Sequence, residues 1–206
     1  MAGVETGRKA SRTPKSGPVS LAEIRDAALT LFSDKTFPVI GMRDISEAVG
    51  IRPGSLYAHI SSKEELLANI VREGIESYLV ELTPIVQSDP PPADRMRAAI
   101  RAHVKVLSKT LAQTRVAFHQ WHFLGDEARQ EIVTLRQRYE DVFTTIYRSG
   151  VADGSFRTPR NERIAVLALI GMLTSASEWY EPEGPLGADE FGDALADAAI
   201  EGLLAR

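Results

Sequence analysis

Three groups of side chains in this 206-residue sequence have the chemistry to act on something outside the chain. The first is Arg52, Ser55, Tyr57 and His59. Leu56 and Ile60 beside them are one helical turn apart and face inward, so these four polar groups face out. A guanidinium, a hydroxyl, a phenol and an imidazole on one short helix are groups of the sort that meet phosphates and base edges. The second group is aromatic. Residues 114–124 read TRVAFHQWHFL, with Phe118, Trp121 and Phe123, and Met172 and Trp179 follow later. Such residues can line an apolar pocket, though aromatic and Met stripes at helical spacing also build ordinary core. The third group is His119 and His122, three apart, with His103 elsewhere. The spacing permits a metal, but no cysteine or nearby carboxylate pair strengthens it. The histidines read better as hydrogen-bonding within a core or lining the polar end of a pocket, His122 among them. Neither a metal nor a cofactor is expected.

The first group is positioned by the stretch Gly41 to Lys63. Met42, Ile45 and Val49 share one helical face. Gly50 stops that helix, because glycine reaches the left-handed conformation without steric cost. Pro53 starts another, its fixed φ suiting a first helical position where no N–H is needed. The second helix is expected over roughly Pro53 to Ile60. Two short helices at a glycine turn form a helix-turn-helix, whose second helix fits the DNA major groove. The same corner also serves plain packing in other proteins.

The run Arg43-Asp44-Ile45, then Ala48-x-Gly50-Ile51, then Gly54-Ser55-Leu56-Tyr57-x-His59-Ile60-x-Ser62-Lys63-Glu64-x-Leu66 resembles the DNA-binding domain of the TetR family of transcriptional regulators, of the AcrR-like kind. The match runs from about Ser20 to Leu67. It departs at Gly41, where the family usually has Thr, a better N-cap. The resemblance implies an all-α, ligand-controlled homodimer. Its site residues for DNA would be Arg43, Arg52, Pro53, Gly54, Ser55, Tyr57, His59 and Lys63. A pocket among the middle helices is also implied, with Phe118, Trp121, His122, Met172 and Trp179 as candidate lining. The segment Glu178 to Leu186 (EWYEPEGPL) is similar to one in TetR-like regulators of lipid or steroid breakdown, some of which respond to acyl-CoA thioesters.

The net charge of −4 conceals an uneven distribution. Residues 1–65 hold nine Lys/Arg and eight Asp/Glu, a balance of +1, and the remaining 141 hold fifteen and twenty, a balance of −5. Positive charge therefore accompanies the helix-turn-helix. Residues 1–19 are nearly free of apolar side chains and carry Arg8, Lys9, Arg12 and Lys15, so they are expected to be disordered. They read equally as a solvated tail or as a basic arm that reaches phosphates or the minor groove. No window has the 18 or so uninterrupted apolar residues of a membrane span, and residues 1–20 lack the apolar block of a signal peptide. The absence of cysteine excludes disulfides and thiol catalysis and suits a cytoplasmic setting.

The other elements are amphipathic helices. Ser20 to Asp34 places Ile24, Ala27, Ala28, Leu31 and Phe32 on one face. Ser62 with Glu65 fits a capping box opening a helix that runs to near Val86, roughly 35 Å at 1.5 Å per residue. Asp89 and three prolines break the chain. Helices follow over Pro92 to Lys109, through residues 114–124 to Gly125, and from Asp126 to Ser149, closed by Gly150 and Gly154. Ile164 to Leu173 has nothing polar, so it is expected to be buried on all sides, one side against a partner subunit. Ala194, Ala198 and Gly202 on the last helix, Ala188 to Leu204, would permit close helix approach. These two helices together suggest half of an intersubunit four-helix bundle.

The expected organisation is thus a disordered basic arm (1–19), a three-helix DNA-binding domain (20–67), and a helical ligand-binding and dimerisation domain (68–206). Its expected partners are a double-stranded operator, a small-molecule effector and a second copy of the chain, with no membrane. The expected role is a homodimeric repressor released from a palindromic operator by a small apolar or acyl-CoA-type effector. A repressor of efflux or detoxification genes that senses drug-like hydrophobic compounds is the alternative. An all-helical enzyme is remote, because no phosphate-binding glycine loop or nucleophile elbow appears. A helical protein-binding module is equally remote.

Overall fold

The structure, a computed structural model, describes residues 19–204. All of the basic arm except Val19 lies outside them. Helix α1 (Leu21–Asp34) begins with a complete capping box: Glu23 N–H donates to Ser20 Oγ, and Ser20 N–H donates to the Glu23 carboxylate. Its buried face is Ile24, Ala28 and Phe32. A 3-10 turn (Phe37–Val39) leads to α2 (Met42–Val49) and α3 (Pro53–Leu56), and α4 (Lys63–Val86) follows. The remaining helices are α5 (Pro92–Lys109), α6 (Leu111–His119), α7 (Asp126–Ala152), α8 (Glu162–Ser175) and α9 (Ala188–Leu203). Short 3-10 turns follow α6 (Trp121–Phe123) and α8 (Ala176–Glu178). Among the described residues the one β feature is an isolated bridge between Phe156 and Leu204. The all-α expectation holds.

Helix α4 is the central rod. It packs against α5, α6 and α7, while α9 covers α5, and α8 lies on α7. The small unit of α1 to α3 joins this body through α1, which touches both α4 and α6. Apolar burial is continuous from Ile24 in α1 through Leu67 and Tyr78 in α4 to Ile200 in α9.

Several details differ from the expectations. Ser62 caps α4 by accepting from Glu65 N–H, but the Glu65 carboxylate closes on Ser61, whose N–H and hydroxyl both donate to it (2.9 and 2.6 Å). Two donors on Ser61 outbid the single N–H of Ser62, and they hold the Glu65 carboxyl below its ordinary range. Gly150 does not close α7 but sits inside it. A Cβ there would stand 2.2 Å from the Phe156 ring, so the glycine admits that ring, which stacks on Tyr147. The closing residue is Gly154, at φ +81°. Within one subunit, helix α8 is buried on one side only, by Val166, Leu169, Ile170 and Leu173, whereas Ile164 is 65% and Leu167 43% exposed on the side for which a partner subunit is expected.

One polar network threads the core. His103 from α5 is fully buried and stacks on Tyr78. Its Nδ1 pairs with the Tyr139 hydroxyl at 2.8 Å and its Nε2 with the Leu173 carbonyl at 3.2 Å. The Tyr78 hydroxyl pairs with Thr114 Oγ1 at 2.7 Å. Burial pushes the His103 pKa down to about 3, so the ring is neutral in the fold.

Two stability outcomes follow. Gly150→Ala should lower the unfolding free energy by about 1–3 kcal/mol in urea titration, the usual cost of an overpacked core. For His103, the unfolded chain takes up a proton below about pH 6.5, and the folded one does so only near pH 3. Its contribution is therefore complete above about pH 6.5 and lost as the pH falls towards 3. Unfolding free energy measured from pH 7 to 4 should decline by up to about 1.4 kcal/mol per pH unit from this group, and less steeply in His103→Gln.

Candidate functional site

The corner between α2 and α3 turns at Gly50, which has φ +76° and donates its N–H to the last turn of α2. The start of α2 is held despite its glycine N-cap, because the Asp44 carboxylate accepts from Gly41 N–H at 2.7 Å. Helix α3 is shorter than expected. It ends at Leu56, and Tyr57 to His59 continue as tight turns, with His59 N–H donating to the Leu56 carbonyl at 2.9 Å. The chain must leave the helix there because Ser62, which caps α4, is fully extended. Leu56 and Ile60 are buried beneath this segment. Arg43, Arg52, Pro53, Gly54, Ser55, Tyr57 and His59 are all exposed on its outer side. Tyr57 is 58% exposed, a large aromatic with no cover from its own subunit. Arg43 is tethered loosely to Glu47, 3.5 Å away.

Lys63 differs from these. Its Nζ donates to the carbonyls of Phe37 and Ile40 (3.1 and 2.8 Å) and lies 4.2 Å from the centre of the Phe37 ring. Two of its three N–H donors are engaged inside the fold, and one remains for a phosphate.

Behind this surface, the side chain of Gln120 bridges the body to the reading unit. Its Oε1 accepts from Phe37 N–H at 2.8 Å, and its Nε2 donates to the Phe32 carbonyl at 2.6 Å. The partners fix the amide's orientation, since a backbone N–H only donates and a carbonyl only accepts. Phe37 also stacks on Phe123, their centres 5.9 Å apart.

Next to Gln120, Trp121 faces the other way, into a cavity of about 250 Å³ between α6, α7 and α8. Phe118 and Trp121 line it from the end of α6, Arg136 and Tyr139 from α7, and Leu167 and Ile170 from α8. The Arg136 guanidinium stands 4.7 Å from the Trp121 ring centre and 5.7 Å from that of Phe118. Its Nη1 is buried with no hydrogen-bond partner among the described residues. Burial pushes its pKa below the ordinary arginine value.

Of the five candidate pocket residues, the structure brings together only Phe118 and Trp121. His122 lies on the opposite side of the 3-10 turn, in a cleft against Ser33 to Thr36 with its ring against Phe123. Met172 is half-buried outside the cavity. It lies two residues past Ile170, about 200° around a helix with 3.6 residues per turn. Trp179 is 57% exposed, packs edge-on against Phe191 and is not among the residues that line the cavity. His119 is engaged with Ser177 Oγ at 3.2 Å, and no group of three or more possible metal ligands gathers among the described residues. Arg136 and Gln120 were not singled out from sequence. Arg136 did leave a signal: it lies four after Ile132 and three before Tyr139, a charge interrupting an apolar stripe. Gln120 left none.

Residues 24–70 match the family model for bacterial regulatory proteins of the tetR family, and residues 89–203, more than half of the chain, match the tetracyclin repressor-like C-terminal domain. The chain is similar to the HTH-type transcriptional repressor KstR2 of Mycolicibacterium smegmatis, 25% identical over 93% of this chain and 94% of that one. It superposes on a bacterial regulatory protein in the tetR family from Rhodococcus RHA1 with a TM-score of 0.82, at 27% identity over 90% of this chain and 98% of that one. It shares its fold with AibR, solved in complex with isovaleryl coenzyme A and operator DNA, with a TM-score of 0.76 at 23% identity over 89% of this chain and 97% of that one. Among the described residues no helix is long and apolar enough to cross a membrane. The chain belongs to the TetR family of DNA-binding transcriptional regulators, which are not enzymes.

Proposed function

We propose that this regulator is a homodimeric repressor, acting in the cytoplasm, whose two reading units occupy successive major grooves of a near-palindromic operator and leave it when an effector fills the Phe118/Trp121 cavity. The observation that carries the DNA reading is the exposed surface of Arg52, Ser55, Tyr57 and His59 beyond the Gly50 corner. Such a surface meets the duplex once per subunit, so two copies read half-sites roughly 34–36 Å apart. The pairing surface is the solvent-facing strip of α8 and α9. Ile164, Ala168 and Gly171 are exposed on α8, and Ala194, Ala198 and Gly202 on α9. Apolar and small residues on two adjacent helices support a bundle with the same two helices of a partner.

The effector is a small apolar or acyl-CoA-type molecule. Two observations favour it: the ring-lined cavity, and the segment Glu178 to Leu186, similar to one in TetR-like regulators of lipid or steroid breakdown. AibR binds a CoA thioester and operator DNA on the same fold. Coupling runs through residues 120–123. Trp121 belongs to the cavity and Gln120 to the bond with Phe32 and Phe37, so an effector that displaces Trp121 strains the hold on the reading unit. Typical couplings of this kind amount to roughly 1–3 kcal/mol, and they act in both directions.

The operator can be selected from random duplexes. Tyr57→Ala should then weaken operator binding about 10–100-fold at fixed salt, as for loss of a base-edge contact; unchanged affinity would remove Tyr57 from the interface. Arg52→Ala should flatten the slope of log affinity against log salt by about one. Ala198→Glu should give a monomer by light scattering, with operator binding lost; a persistent dimer would move the pairing surface elsewhere.

A further inference from the structure

We propose that Arg136 makes the Phe118/Trp121 cavity a receptor for an oxyanion on an amphipathic molecule, rather than for a neutral hydrophobe. This rests on the cavity being the effector site.

The guanidinium lies against two ring faces, Trp121 and Phe118. Ring faces attract a cation but accept no in-plane N–H bond, so they hold the group while leaving its edge unsatisfied. Nη1 is shut off from solvent and has no acceptor among the described residues. Arg95 also has a buried Nε without a partner, but its other two nitrogens donate to the Val86 carbonyl and to Ser149 Oγ, and four further arginines of the body are ion-paired. Arg72 is paired with Glu131, Arg97 with Asp197 and Arg148 with Glu162, all at 2.5–2.8 Å, and Arg101 is paired with Asp193. All four pairs lie at the surface, where a lost partner costs little.

Arg136 is the reverse case, a partly buried cation with no carboxylate hydrogen-bonded to it among the described residues, Glu140 acting on it only at longer range, and such a charge is costly to keep. The acidic side chain beside it in the cavity, Glu140, stands 3.7 Å from Arg163. The Tyr139 hydroxyl is already committed to His103. An incoming oxyanion that displaces the ring covering Nη1 would gain a charge-assisted bond and supply the missing acceptor. Val133, Leu167, Ile170 and the two rings form the apolar part of the lining and suit a hydrocarbon body, while Gln137 and Arg163 line it beside Glu140. The expected ligand is an apolar chain or ring system carrying one carboxylate or phosphate oxygen group at the Arg136 end.

The test uses the full-length protein with Trp179→Phe, which leaves Trp121 as the sole tryptophan of two. Quenching of Trp121 fluorescence is titrated at constant salt with octanoate, octanoyl-CoA and 1-octanol. At least one of the two anions should bind tenfold or more tightly than 1-octanol. Octanoate alone would assign a free carboxylate, octanoyl-CoA alone the phosphates of a thioester. Arg136→Met, close in size, should abolish that preference while 1-octanol binding stays within twofold. Equal binding of 1-octanol and both anions to the unmutated pocket, or a preference that survives Arg136→Met, would overturn the role of Arg136 while leaving the cavity as the effector site. Absence of quenching by all three would overturn the cavity reading itself.

Discussion

The placement of the reading unit on the helical body depends on one buried side-chain amide. Where the chain reverses between α1 and α2, the end of the helix leaves the Phe32 carbonyl free and the loop leaves the Phe37 N–H free. An unsatisfied buried group of either kind costs about 1–3 kcal/mol. Gln120 answers both, from a point 83 and 88 residues further along the chain. Lys63, from the start of α4, donates to the Ile40 carbonyl and adds a second donor to the Phe37 carbonyl, which already accepts from Ile40 N–H. Ring packing of Phe32, Phe37 and Phe123 adds area but little direction. The polar contacts therefore set the angle, and the aromatic ones supply most of the cohesion.

The body uses the same division of labour. Leucine and isoleucine faces bring α4 to α8 together without fixing how they slide or rotate. The chain Tyr139–His103–Leu173 ties α7, α5 and α8 at one level, and Tyr78–Thr114 ties α4 to α6. These bonds form only in one register, and in a low-dielectric core a broken one is expensive. The cavity lies against this network, since Tyr139 belongs to both. On the α7 side its wall is tied into these bonds, whereas Trp121 sits on a short 3-10 turn.

Much of this was legible in the sequence, for local reasons. Apolar spacing at three and four residues located α1, α5 and α7. Gly50 and Pro53 marked the corner because their backbone preferences are intrinsic, and the exposed polar set of α3 followed from the phase of Leu56 and Ile60. What was not legible depends on partners distant in the chain. Nothing near Gln120 announces Phe32 or Phe37, and nothing near Lys63 announces two carbonyls of the preceding loop. Which pocket candidates share a space was not legible for a similar reason: residue type singles out Met172, Trp179 and His122, but the helix phase and the bend after His119 put them outside the cavity of Phe118 and Trp121. Phe118 and Trp121 share one because a 3-10 turn carries the second back beside the first. Arg136 is legible as a charge that interrupts the apolar stripe between Ile132 and Tyr139.

Helix α4 has 24 residues from Lys63 to Val86, about 35 Å at the standard rise. It has a proline only in its final turns, Pro84, so it behaves as a rigid lever. A tilt of about 5° at its far end sweeps Lys63 through about 3 Å over that length. That approaches the 3.4 Å rise of one base step. A repacking within the body too small to disturb its core can therefore move the reading surface out of step with the duplex.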